Sequence, residues 1–165
     1  MPEDIYKGNN DYRYALGVRG KNPLIFFGIN PSTATPDNYD QTMNKAKHFA
    51  LYNKFDSWIM FNVYPQKARY PACLNQDRND IIHKKNIEII EEILPNNSTV
   101  VAAWGNNITK RVYLFGCLEN IVNTLNNKKI RWKHIGSLTT KKHPRHILYL
   151  RNDEKINNFD IEKYL

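Results

Sequence analysis

Four polar runs in this chain carry residue types that could do chemistry. Gly28-Ile29-Asn30-Pro31-Ser32-Thr33 offers an amide, a fixed φ, two hydroxyls and several backbone N–H groups, all placed just past the apolar run Leu24 to Phe27. An amide is a poor base, so the work open to Asn30 is to orient a water or hold the polar edge of a ligand. Asp40 and Thr42 open the next periodic segment, where an acid is first of all a helix cap. Asn62, Tyr64 and Arg69 lie in or beside a two-proline loop that mixes aromatics with cations, a combination able to stack a base and hold a phosphate. Ser137, Thr139, Lys141, Lys142, His143, Arg145 and His146 make a long basic loop containing a pair of histidines separated by Pro-Arg. The same residue types also build ordinary hydrogen-bonded turns, and pattern alone leaves both readings open.

Regular elements must position these runs. Leu24 to Gly28, Ser57 to Val63, Thr99 to Trp104 and Arg131 to Ile135 read as strands, the first three continuously apolar, as strands buried on both faces are. Tyr12 to Val18 alternates and predicts an edge strand before the Arg19-Gly20-Lys21-Asn22 turn. Helical periodicity runs from Asp40 to about Asn53, from Asn79 or Asp80 to about Leu94, and from Asn106 or Asn107 to about Asn123. Ile147 to Leu150 predicts a short strand or the entry to a last helix. Strands alternating with helices imply right-handed crossovers and a three-layer α/β/α sandwich around a mostly parallel sheet of four or five strands, forming one domain over residues 1–165. In that architecture the polar loops open on one edge, where ligands bind.

Composition narrows the partners. The 165 residues carry a formal net charge of +8, which favours polyanions through phosphate neutralisation. Lys141, Lys142, Arg145 and Arg151 belong to a basic cluster in the last third and are the expected nucleic-acid contacts, although a Lys- and Asn-rich composition also follows from genome base bias. Cys73 and Cys117 lack any CxxC or CxxH context, so neither a zinc site nor a disulfide framework is expected, and no metal or cofactor is called for. No apolar run is long enough to cross a bilayer, and MPEDIYKGNN has neither a basic n-region nor an apolar h-region, so a cytoplasmic protein without membrane partners is expected.

The runs GINPSTA, Asp40-x-Thr42, FNVYPQKAR, AAWGNN and HPRHILYL, in this order between Tyr14 and Arg151, resemble the bacterial and phage family called domain of unknown function 1643. That resemblance implies no activity. A second one does. The order strand-G-I-N-P, strand-N-V, strand-W-G, strand-loop-H-P is similar to the uracil-DNA glycosylase superfamily, whose mismatch-specific branch carries the same G-I-N-P as Gly28 to Pro31. It implies a glycosylase-like fold, a hydrolytic water held by Asn30, and His143 at the loop that meets the leaving base and clamps DNA. The chain departs from those enzymes at Ser32, where they carry Gly or Tyr, and at Arg145-His146, where they are serine-rich, which makes His146 the alternative working histidine.

Cleaving an N-glycosidic bond builds positive charge on the sugar and negative charge on the departing base, so a site needs an oriented water and a donor aimed at the base. Asn30, His143 and His146 are the expected catalytic groups. Gly28, Pro31, Ser32, Thr33, Asp40, Thr42, Asn62, Tyr64, Arg69, Ser137 and Thr139 are the expected substrate contacts, with Asn62, Tyr64 and Trp104 forming a pocket for an extruded base. Two function classes stay open: a DNA glycosylase-like hydrolase, or a phage- or defence-related protein that binds a nucleotide or nucleic acid in the same cleft without turnover.

Overall fold

The computed structural model describes residues 2–165. Its centre is a seven-stranded sheet in the order β1-β2-β4-β3-β5-β6-β7, formed by Glu3–Gly8, Arg13–Arg19, Pro23–Gly28, Ser57–Asn62, Thr99–Ala102, Arg131–Ile135 and Ile156–Asn158, with β4 lying between β2 and β3. The inner strands β4, β3, β5 and β6 run parallel, while β1, β2 and β7 join the edges antiparallel. A sheet of seven strands replaces the expected four or five. The outermost strands escape pattern reading because β1 buries only Ile5 and β7 buries no residue fully, so neither shows an apolar face.

Helices cover both faces because the inner strands are apolar on both. Leu24, Phe26, Met60 and Val101 point to one side, where α1 (Gln41–Tyr52) packs through Met43, Ala46, Phe49 and Ala50. Ile25, Phe27, Phe61 and Val100 point to the other, against α2 (Asp80–Ile93), α3 (Tyr113–Thr124) and the C-terminal α4 (Ile161–Tyr164). Phe27, Met60, Val101 and Ile135 are all buried on neighbouring parallel strands, as the alternating pattern predicts.

Capping fixes where α1 and α2 begin. Asp40 accepts the Met43 N–H at 2.9 Å, and Asn79 accepts the Ile82 N–H at 3.1 Å. The helix expected from Asn106 starts later: Gly105–Thr109 forms a 3-10 turn, and α3 begins at Tyr113. Gly105 has φ +65°, and the Thr109 hydroxyl donates to the Asn106 carbonyl, which diverts the backbone before a helical ladder forms. Ile147–Tyr149 is likewise neither strand nor helix but a 3-10 turn, started by His146. Among the described residues no helix is long and apolar enough to cross a membrane.

Candidate functional site

Numbered among themselves, the parallel strands run in the order second, first, third, fourth, so the chain reverses its direction of travel at β3. In such sheets the crevice at the carboxyl ends beside the reversal is where ligands enter. A cleft of about 790 Å³ lies there, walled by the loops after β3, β4, β5 and β6 and by the start of β2. The register sets Gly28 directly opposite Asn62, and the strands stay joined past their ends by Val63 N–H to Gly28 and Tyr64 N–H to Ile29.

Asn30 lines the cleft with its amide already oriented. Its Nδ2 donates to the Ala68 carbonyl at 2.9 Å and to the Pro31 carbonyl at 3.1 Å, so Oδ1 is the atom left as an acceptor. Asn62 lines the same wall. Its backbone carbonyl accepts from Asn86 Nδ2 at 3.0 Å, while its own Nδ2 is buried without a partner among the described residues. A Cβ at position 28 would crowd this wall: it would stand 2.9 Å from Asn62 Oδ1, so the Asn62 amide would have to shift.

His146 comes from the fourth loop. Its Nδ1 accepts the Leu148 N–H at 3.1 Å, which places the proton of the neutral ring on Nε2 and makes that edge a donor. Burial holds its pKa below the ordinary histidine value, partly opposed by the charge of Asp40. Gly105 turns the chain after β5 with φ +65°, a left-handed conformation that favours glycine, and its N–H donates to the Pro144 carbonyl at 2.8 Å, beside His146. Thr139 donates to Asn106 Oδ1 at 2.7 Å and so ties two of the lining loops together.

The structure brings Gly28, Asn30, Ser32, Asp40, Thr42, Asn62, Arg69, Thr139, Arg145 and His146 to one cleft. It does not bring His143 there. That ring is buried, packs on Phe115, and shares a 2.7 Å hydrogen bond between Nδ1 and the Tyr164 hydroxyl, which accepts from Trp104 Nε1 at 2.9 Å. Tyr64, too, is core: its hydroxyl accepts the Asn79 N–H at 2.9 Å and its ring packs on Tyr113. Of the remaining residues, Pro31 is buried and braces Ala68, Thr33 is exposed, and Ser137 accepts from Arg145 Nε at 2.9 Å, so Ser137 positions Arg145. Lys141 and Lys142 are exposed outside the lining, and Arg151 faces Asp153 at 3.4 Å and Glu154 at 3.8 Å.

Sequence reasoning missed Arg13 and Tyr149 as site residues and singled out Tyr70 only as part of the two-proline loop; all three line the cleft. Tyr70 and Tyr149 are exposed aromatics, and Arg69 lies over the Tyr70 ring at 5.4 Å. Arg13 had a readable signal, a cation opening the mostly apolar run Tyr14 to Val18. Among the described residues no three His, Cys, Asp or Glu side chains gather as a metal ion would require. In comparison with known families, the model described as a protein of unknown function (DUF1643) matches residues 13–148, a span that contains every lining residue except Tyr149 and Leu150. No curated protein and no solved structure matches the chain.

Proposed function

Since the chain belongs to the DUF1643 family, whose description carries no activity, its function has to be argued from the cleft, and we propose that the cleft seats a nucleobase and hydrolyses its N-glycosidic bond in a DNA glycosylase-like reaction. The observation that carries this reading is that two polar groups of the cleft are aimed in advance by backbone bonds. Carbonyls of Pro31 and Ala68 hold the Asn30 amide so that Oδ1 accepts, and the Leu148 N–H holds the His146 ring so that Nε2 donates.

An acceptor at Asn30 can bind a water hydrogen and turn the water lone pair toward the anomeric carbon. As the C1′–N bond breaks, its electron pair leaves with the base, and a neutral donor at His146 stabilises that developing anion. Water oxygen then bonds to C1′ and its proton ends on the base or in solvent. Asn62 contributes a donor for the base edge, and the exposed Tyr70 and Tyr149 offer faces for stacking. The uracil-DNA glycosylase-like order of motifs supports the same reading.

The amide at position 30, in place of a carboxylate base, favours a second reading in which the cleft binds a nucleotide or nucleic acid without turnover. One experiment separates the two. Duplex and single-stranded DNA carrying uracil, hypoxanthine, mismatches and phage-type modified bases is incubated with the protein and probed for alkali-labile abasic sites. Abasic sites that disappear with Asn30→Ala support hydrolysis. Saturable binding without base release supports the second reading, and absence of both removes the cleft from nucleic-acid chemistry.

A further inference from the structure

Arg13 has no part in the reaction proposed above, yet its surroundings are unusual. It opens β2 and lines the cleft with only 3% of its surface exposed. Nη1 donates to the Ala34 carbonyl at 3.1 Å, whereas Nε is buried and has no partner among the described residues. None of the ion pairs among the described residues includes Arg13. The acid whose charge acts on it is Asp40, and one of that carboxylate's oxygens already accepts the Met43 N–H. Burial acts against the charged guanidinium more strongly than Asp40 and Tyr6 act for it.

A buried cation beside a void is stabilised by an anion that enters the void. Neutral base edges would satisfy its N–H groups but leave the charge uncompensated. The planar fork of a guanidinium matches the oxygens of a phosphate, and phosphate is the anion covalently tied to a nucleoside. We propose that Arg13 is a phosphate-binding residue on the inner wall of the cleft, so that the ligand is a nucleotide whose phosphate enters together with its base; this rests on the base-binding reading above. The phosphate is either the terminal group of a free nucleotide or strand end, or a diester within a strand. Arg69 and Arg145 line the same cleft and are positioned to meet adjoining phosphates in the second case.

The test uses the full chain labelled with nitrogen-15 and follows the Arg13 Nε–H resonance during titration with inorganic phosphate, nucleosides, nucleoside 5′-monophosphates and short DNA strands with and without a 5′-phosphate. Inorganic phosphate and the monophosphates are expected to move the resonance saturably. Monophosphates are expected to bind about tenfold or more tightly than the matching nucleosides, as a charge-assisted contact predicts. Arg13→Gln should abolish that preference and Arg13→Lys should restore part of it. Strands that need a 5′-phosphate identify a terminal group, strands that do not identify a diester, and both results support the subsite. An Arg13 resonance unmoved by phosphate and monophosphate, while nucleosides still bind, overturns the subsite and leaves the base-binding reading standing. A resonance moved by phosphate with no nucleoside binding keeps the subsite and removes the base. Should Arg13→Gln fail to fold, the wild-type titration and Arg13→Lys decide. A preference for monophosphates that survives in Arg13→Lys at full strength together with an unmoved wild-type resonance assigns Arg13 to bracing Ala34 alone.

Discussion

His143 and His146 leave the same loop and meet opposite fates. His143 closes a chain from Trp104 Nε1 through the Tyr164 hydroxyl to its own Nδ1, and its ring is buried against Phe115. His146 uses one nitrogen to start a backbone turn and keeps the other edge in a cleft that also holds Arg13 Nε and Asn62 Nδ2, both without a partner among the described residues. Hydrogen-bond accounting therefore separates a structural histidine from a functional candidate where residue type cannot. The accounting needs a second condition. His83 Nδ1 and His134 Nδ1 are also buried without partners among the described residues, but neither residue lines the cleft. An unsatisfied atom points to a ligand only where there is room for one.

The contrast breaks most sharply in kinetics. Asn30→Ala and His146→Ala each remove a group expected to act in the transition state, so base release by the folded protein should fall by ~10² to 10³. Asn30→Ala also frees the Ala68 carbonyl from Nδ2 and should cost about 1 kcal/mol of stability. Single-turnover assays and thermal melts on the same preparations check both effects. His143→Ala should do the reverse, losing about 2–3 kcal/mol through the cut Tyr164 bond and the void beside Phe115 while activity per folded molecule stays within about threefold. If His143→Ala melts normally and loses base release, the two histidines have been assigned the wrong way round.

Much of the fold could be read from the chain, because β3, β4 and β5 are continuous apolar runs and α1 keeps a helical stripe over Met43, Ala46, Phe49 and Ala50. What could not be read was non-local. His143 meets Tyr164 at a separation of 21 residues and Trp104 through it, and no local pattern announces a pairing of that kind. Arg13 was legible as a cation at a strand end but not as part of a cleft, since its companions Asp40, Asn62 and His146 come from the start of α1, the end of β4 and the loop after β6. Asn30 was found because G-I-N-P carries its own turn chemistry, whereas Tyr149 lies in a 3-10 turn that strand and helix periodicities do not describe.

A smaller effect sharpens the comparison inside the cleft. Gly28→Ala would set a methyl group 2.9 Å from Asn62 Oδ1, and the Asn62 amide must turn to relieve it. Because Asn62 Nδ2 is expected to meet the base, ligand affinity should fall about tenfold, or ~1.4 kcal/mol. Stability should change by no more than about 1–2 kcal/mol, as for other modest overpacking. Isothermal titration beside a thermal melt checks this, and full affinity in Gly28→Ala would place the base away from Asn62.

The smallest effect is a pH dependence that the two histidines share. His83, His134, His143 and His146 all have pKa values lowered chiefly by burial, with Arg78 adding to the effect at His83 and Lys141 at His143, while Asp80 and Asp40 oppose it at His83 and His146. A histidine lowered in the folded state binds its proton less readily there than in the unfolded chain, so the unfolded chain takes up more protons as pH falls. Stability should thus be full above the ordinary histidine pKa of about 6.5 and decline below it, down through the lowered folded values. Each kcal/mol lost lowers Tm by about 2–4 °C in a chain of this length. Melts from pH 8 to pH 5 should show that decline, and His143→Gln should flatten part of it, because Gln keeps a polar group beside Tyr164 without titrating. His146→Gln should do the same for stability and, in addition, remove the acid limb of any pH profile of base release, since protonating the ring at Nδ1 displaces the Leu148 N–H that orients it. An acid limb that survives in His146→Gln would mean that the group titrating in the cleft is another one.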